Sequence, residues 1–227
     1  MLFIYSGDVP ELDEILAQWL GSERKLTVIP TSINDHTTAR HIAGYYKNTN
    51  INACTLPKRA YNDSRLLKSI ILDSDAVFLC GGNTYEFLDF ANNLDLFTTL
   101  SIFEANNGII AAESAGSIIL TSNIATASIP SSYPDENLVG ITDLTAMNRL
   151  TFHISPHYDP MDEFCSSDRL ELQTLANESG QSVMLLEDGE GFIVEGDRIT
   201  HFQGKEKYLN PVGTGSVTKA GYQPQIA

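Results

Sequence analysis

Short apolar runs alternate with stretches of helical periodicity along the first half of the chain. Runs rich in branched and aromatic side chains predict strands at Leu2–Tyr5, Leu26–Pro30, Ile51–Leu56, Ala76–Cys80 and Ile109–Ala112. Between the first two, "PELDEILAQWLG" opens with a proline at a first-turn position, sets Leu12, Ile15, Leu16 and Trp19 on one face, and stops at Gly21. That is the form of a surface helix. "DHTTARHIAGYYKN", "DSRLLKSIIL" and "NTYEFLDFANN" read the same way, the first two with an aspartate near the N-terminal cap. Strands separated by helices are the sequence form of βαβ units and a parallel sheet.

After Gly140 the pattern changes. "LTFHISPHYD" alternates like a strand, "SSDRLELQTLANESG" reads as a capped helix, and "SVMLLEDGEGFIVEGDRITHF" as two or three short strands with turns. No internal repeat, low-complexity segment or linker divides the chain. The expectation is one α/β domain over residues 1–227: a doubly wound, mostly parallel sheet with helices on both faces and a C-terminal mixed or antiparallel strand region. The stretch "TASIPSSYPDENLVGITD" has loop composition and is long for a connection, a class of loop that is often functional or mobile.

Composition narrows the function. Hydrophobic content of 42% with 19% charged residues is that of a soluble globular protein. Against 14 Lys and Arg stand 29 Asp and Glu, a formal net charge of −15, so the average surface repels phosphate backbones and anionic lipids. Neither nucleic acid nor membrane is expected as a partner. The apolar run in "MLFIYSGD" is too short for a signal peptide or a membrane span. Cys54, Cys80 and Cys165 lack metal-ligand spacing and fit a reducing compartment, with cytoplasm the default. Cys80 is expected to be buried at a strand end.

The first candidate for chemistry lies in "IIAAESAGSIIL", an apolar run interrupted by Glu113-Ser114-Ala115-Gly116. Either Ser114 is a nucleophile on a strand-to-helix elbow, or this is a tight packing turn of small residues. An elbow at the carboxyl end of a parallel strand would present Ser114 Oγ to the crevice where open α/β sheets bind ligands. The helix "SAGSIILTS" would aim its free N–H groups at developing negative charge. The match to G-x-S-x-G is incomplete, because Ala112 stands at the first glycine. A second turn, "CGGNTYEFL", places Gly81 and Gly82 at the same sheet edge, so the N–H groups of Gly82 and Ala115 are proposed as oxyanion donors. Gly-Gly-Asn-Thr alone fits phosphate binding as well.

A serine nucleophile needs a base. His36 and His41 read as surface residues on an early helix, His201 belongs to a late hairpin, and His153 sits inside a strand. His157 follows Pro156, which ends that strand and leaves the imidazole in a loop at its carboxyl end. It is the better base, with a satisfied loop histidine as the alternative.

"CGGNTYEFL", "ESAGSI" and "SPHYD", in this order and spacing, resemble the peptidase E (aspartyl dipeptidase) and cyanophycinase family of serine peptidases, whose fold is similar to class I glutamine amidotransferases. The resemblance spans nearly the whole chain. It implies Ser114 as nucleophile, His157 as general base, Gly82 and Ala115 as the oxyanion hole, and Asn83 and Thr84 lining the site. It also implies an arginine, here Arg169 in "CSSDRLELQ", that holds an acidic substrate side chain through two parallel donors. Pairing of Arg169 with Asp168 or Glu171 on a solvated helix face is the competing reading. At the family's usual triad aspartate the matching stretch "TASIP" has Ser128. Other members of the family take an acidic residue from the turn after a later strand, so the resemblance implies an acid from Glu187-Asp188-Gly189 here, with Asp188 first, Glu187 next or at the substrate, and Asp135 and Asp159 as outside candidates.

The leading expectation is a serine peptidase acting on small peptides with an N-terminal acidic residue, without cofactor or metal, as a monomer or homodimer. A catalytically silent peptide- or metabolite-binding homologue is a second reading, motivated by Ser128. An amidase or amidotransferase-like activity is a third, although glutaminases of this fold use cysteine at the elbow. An esterase of the α/β-hydrolase type fits less well, because about 70 residues follow His157 here.

Overall fold

The computed structural model describes residues 1–204 and 207–212. Five strands, β1 (Leu2–Tyr5), β2 (Lys25–Ile29), β3 (Asn52–Thr55), β4 (Ala76–Leu79) and β5 (Ile109–Glu113), form the parallel part of a seven-stranded sheet. Its order is β3-β2-β4-β5-β1-β8-β9, with β8 (Gly191–Glu195) and β9 (Arg198–Phe202) added antiparallel beside β1. All five expected strands of the first half are present, with ends moved by a residue or two.

The continuous apolar character of these strands follows from burial on both faces. Along β1, Leu2 and Ile4 enter one apolar cluster while Phe3 and Tyr5 enter another. The same alternation puts Val77 and Leu79 of β4 on the first side and Ala76 and Phe78 on the second. On the second side pack α1 (Pro10–Leu20), through Leu12, Leu16 and Leu20, and α2 (His36–Asn48), through Ala39, Ala43 and Tyr46. On the first lie α3 (Ser64–Leu72), α4 (Thr84–Asn93) and α5 (Leu96–Ala105). The helix α5 is absent from the sequence reading. Its buried positions, Leu96, Thr99, Leu100 and Phe103, have helical spacing, but Phe97 and Ile102 add apolar residues off that face and blur the period. A buried ion pair from Arg149 to Glu104 ties the later chain to this helix.

The helix expected after Ser114 is only one turn, α6 (Ala115–Ile118). A long irregular connection then leads to a second sheet of three strands, β10-β7-β6, made of β6 (His153–Ser155), β7 (Val183–Leu185) and β10 (Tyr208–Leu209). There β6 and β7 are parallel and β10 antiparallel, which gives the mixed C-terminal region expected. Helix α7 (Cys165–Ser179) covers one face of it through Leu172 and Ala176, against Val183 and Leu185. Met184 and Ile154 point the other way, into the main core. Helix α7 ends at Gly180 in the left-handed conformation, φ 69°, as a glycine cap requires.

His36 does not lie on the surface as expected. Helix α2 turns it inward to 8% exposure, against the ring of Tyr61. Cys80 is buried at the end of β4, and burial pushes its thiol up.

Candidate active site

Because β1, β2, β4 and β5 are parallel, the residues after each emerge at one rim: Ser6 and Gly7, Thr31 and Ser32, Gly81 and Gly82, and Ser114. Ser114 has φ 49° and ψ −113°, a conformation that costs a non-glycine residue energy and recurs at nucleophile elbows. Surrounding bonds hold it there. Ser114 N–H donates to Tyr5 O at 3.0 Å, and the buried Ser117 hydroxyl bonds Ala112 O at 2.7 Å and Tyr5 O at 3.1 Å. Gly116 lets α6 press on β4: a Cβ there would lie 2.3 Å from Leu79 O. The small residues are thus explained by close packing and by presentation of Ser114 together.

Ser114 Oγ lies 2.8 Å from His157 Nε2, and His157 Nδ1 lies 2.5 Å from Asp188 Oδ1. His157 comes from the turn after β6 and Asp188 from the turn after β7, so the relay crosses from the large sheet to the small one. His157 also has a positive φ of 55°. Its N–H donates to the Ser6 hydroxyl at 2.8 Å, its carbonyl accepts from the Tyr133 hydroxyl at 2.9 Å, and the Tyr133 ring stands edge-on to the imidazole. Ser6 is fully buried, and its own hydroxyl donates to Leu186 O at 3.2 Å, stitching the two sheets together. A Cβ at Gly7 would sit 3.3 Å from the Asp188 carboxylate, so glycine leaves that carboxylate its space.

The amide of Ala115 follows Ser114 directly. Gly81 backs onto Ser114, where a Cβ would come within 3.2 Å of Ser114 Cβ, and Gly82 comes next with φ 140°. That conformation needs glycine, and a Cβ there would also meet Thr31 Oγ1 at 2.6 Å. Neither the Gly82 nor the Ala115 amide has a hydrogen-bond partner among the described residues. With α6 so short, these two local N–H groups, rather than a helix dipole, are the available donors for negative charge.

Other expected site residues are placed elsewhere. Asn83 lines the cleft, but Thr84 is fully buried with its N–H on Asp135 Oδ2 at 2.8 Å, because it starts α4 and turns inward. Glu187 precedes Asp188 and points away from the relay, to Lys207 Nζ at 2.5 Å. Asp135 caps α4, Asp159 accepts from Met161 N–H at 2.8 Å, and the exposed Ser128 hydroxyl bonds Ala125 O at 3.4 Å. Among the described residues, the carboxylate within reach of the His157 ring is that of Asp188, and Ser128 is not bonded to that ring. Arg169 is exposed on α7, its Nη1 3.5 Å from the Tyr158 hydroxyl; Asp168 is bonded to Ser131 instead of to Arg169. Ser6, Gly7 and Tyr133 are the residues the sequence reading missed, the first two marked only by "YSGD" at the end of β1.

The cleft at Ser114 has a volume of about 540 Å³ and includes Asp35, Glu86 and Glu113. Burial holds the Glu113 carboxyl above the ordinary glutamate range, and Asp8 raises it further, while His157 and the Gly81 amide pull it back. No Lys or Arg lines this cleft among the described residues. Nor is there among them a cluster of His, Cys, Asp and Glu that could hold a metal, or a helix long and apolar enough to cross a membrane.

The model of peptidase family S51 matches residues 2–202. A peptidase E of Shewanella amazonensis is 29% identical over 225 residues, covering 94% of this chain and 89% of that protein. Among solved structures, one described as a candidate peptidase E from Listeria monocytogenes superposes with a TM-score of 0.70 at 20% identity, covering 90% of this chain and 98% of that one. A peptidase from an acI-B1 Actinobacterium gives 0.61 at 13% identity, covering 93% and 94%. These last two are likenesses of fold. With the family model spanning most of its length, the chain belongs to peptidase family S51, the peptidase E family, and is a serine-type peptidase.

Proposed function

We propose that the protein cleaves short peptides after an N-terminal acidic residue, through an acyl-enzyme on Ser114. As Oγ bonds to the substrate carbonyl carbon, His157 Nε2 takes the hydroxyl proton, and the resulting oxyanion is held by the N–H groups of Gly82 and Ala115. His157 returns the proton to the leaving amine as the C–N bond breaks. Water, deprotonated by the same ring, then hydrolyses the ester and restores Ser114. Asp188 accepts from Nδ1, which fixes the tautomer and favours the imidazolium. The observation that carries this reading is the unbroken relay of 2.8 Å and 2.5 Å beside two amides free to donate.

Two groups of side chains near His157 suit the charges of the substrate. Asp35 and Glu113 suit a free α-ammonium, whereas Arg169, beyond Tyr158, suits the acidic side chain. An N-terminal aspartate carries both groups. Three free thiols fit a cytoplasmic setting.

The test is turnover of Asp-Leu by the parent protein and by Ser114→Ala, with N-acetyl-Asp-Leu and Ala-Leu alongside. Ser114→Ala is expected to lose about 10⁶ in kcat. Acetylation is expected to block cleavage, and Arg169→Ala to raise KM for Asp-Leu but not for Ala-Leu. Equal turnover by parent and Ser114→Ala would eliminate Ser114 as nucleophile.

A further inference from the structure

Next to the cleft at Ser114 lies a second cavity of about 530 Å³ that shares Ser32, Asn34 and Glu86 with it. Beyond those residues the lining is mixed: Ile33, Phe90, Leu94 and Val139, with Tyr61, form an apolar patch, and Asn62, Asp89 and Asn93 complete the rim. Helix α4 connects the two spaces. Its cap, Asn83, and Glu86 face the reactive cleft, and Phe90, about one turn further at ~5.4 Å of rise, faces the annex. That separation is of the order of one residue of extended peptide plus its side chain.

The opposite wall comes from the long loop, and its position is built. Asp135 caps the Thr84 N–H and the Glu136 carbonyl accepts from Asn83 Nδ2 at 3.0 Å, so the loop is pinned to the start of α4 with Val139 over the annex. Ile33 and Val139 remain 40% and 42% exposed, apolar surface that an occupant would take from water. In addition, the hydroxyls of Ser32 and of Tyr61, itself 7% exposed, have no hydrogen-bond partner among the described residues.

We infer that this annex is the leaving-group subsite, and that it selects peptides whose residue after the scissile bond carries an apolar side chain. The inference rests on the peptidase reading above. There the acidic residue extends past His157 toward Tyr158 and Arg169, which leaves the annex, on the Gly82 and Asn83 side of Ser114, for the departing residue.

The experiment measures kcat/KM for Asp-Gly, Asp-Ala and Asp-Leu, and for Ala-Leu against Leu-Leu, with fluorophosphonate labelling of Ser114 to verify the nucleophile in every variant. The Leu-to-Gly ratio in the Asp series is expected to exceed tenfold in the parent protein, the scale at which apolar pockets discriminate. Ile33→Asp and Val139→Asp are expected to cut that ratio about tenfold, while Leu72→Asp, a comparable change on α3, leaves it alone. Because both peptides of the ratio carry the same terminal carboxylate, added charge cancels. A ratio near one in the labelled parent, a ratio unmoved in both annex variants, or a preference that follows the first residue overturns the subsite while sparing Ser114. Failure of the parent to label or turn over defeats the peptidase reading and this inference together.

Discussion

The two sheets contribute to the site in opposite ways. The seven-stranded sheet holds Ser114 by packing: both its faces are covered, and the elbow is clamped by Gly116 on β4 and by Tyr5 and Ala112 carbonyls. The three-stranded sheet, covered by one long helix, delivers His157 and Asp188 on turns, with side-chain exposures of 31% and 73%. Those two are held by a few hydrogen bonds across the seam. A nucleophile must keep a strained backbone, which only dense surroundings can impose. An imidazole and its partner need only orientation, so defects on that side should alter catalysis with the fold intact.

Asp188→Asn sharpens the contrast most. It exchanges an acceptor for a donor at Nδ1, and the equivalent change in trypsin costs ~10⁴ in kcat. Because Asp188 is 73% exposed, water stabilises the imidazolium in part, and a loss of roughly 10²–10³ is expected, with unchanged thermal unfolding. A parallel loss of stability would show the small sheet to be packed as tightly as the large one.

Gly116→Ala tests the packed side. Its Cβ would sit 2.3 Å from a backbone carbonyl that cannot rotate away, so the helix or β4 must shift. Overpacking of this kind costs about 3 kcal/mol at the upper end of the usual range, and activity should fall along with the melting temperature.

Between these lies Ser6→Ala, at the seam. It leaves the His157 N–H without its partner, while the Leu186 carbonyl keeps the Tyr158 N–H at 2.9 Å, for about 1–2 kcal/mol. A merely structural role predicts loss of stability alone. A positioning role adds a lower kcat at unchanged KM, recovered in Ser6→Thr if the hydroxyl regains its place.

The same division explains what was legible in the sequence. On the packed side, period and composition are local, so β1 was readable to the residue and the elbow stood out as one charge and small residues inside an apolar run. Helix α5 escaped because Phe97 and Ile102 extend its apolar surface beyond one stripe. At the seam the deciding facts are tertiary. Glu187 and Asp188 are neighbours in sequence, yet one turns to Lys207 and the other to His157. Asp135, an outside candidate for the triad acid in the sequence, is carried by the loop to the N-terminus of α4. Ser6 meets His157 across 151 residues, a separation over which no periodicity speaks.

Glu113 offers the smallest and most discriminating test, because it belongs to the packed side yet faces the relay. Its folded carboxyl titrates above the ordinary glutamate value of about 4.3, chiefly through burial. Below that ordinary value the group is neutral in folded and unfolded chains alike, and the fold keeps its full stability. As pH rises through the raised folded value the stability contribution is lost, since a charge must then be kept where water is scarce. Glu113→Gln should therefore raise the melting temperature at pH 8 and leave it almost unmoved at pH 4. The glutamate persists at a position where it weakens the fold, and its negative charge faces His157 and the cleft, which is where a substrate ammonium or an imidazolium would gain from it. Melting curves of the parent and the glutamine variant that stay parallel from pH 4 to 8 would mean that Glu113 is hydrated, and that the elbow is less densely enclosed than its neighbours imply.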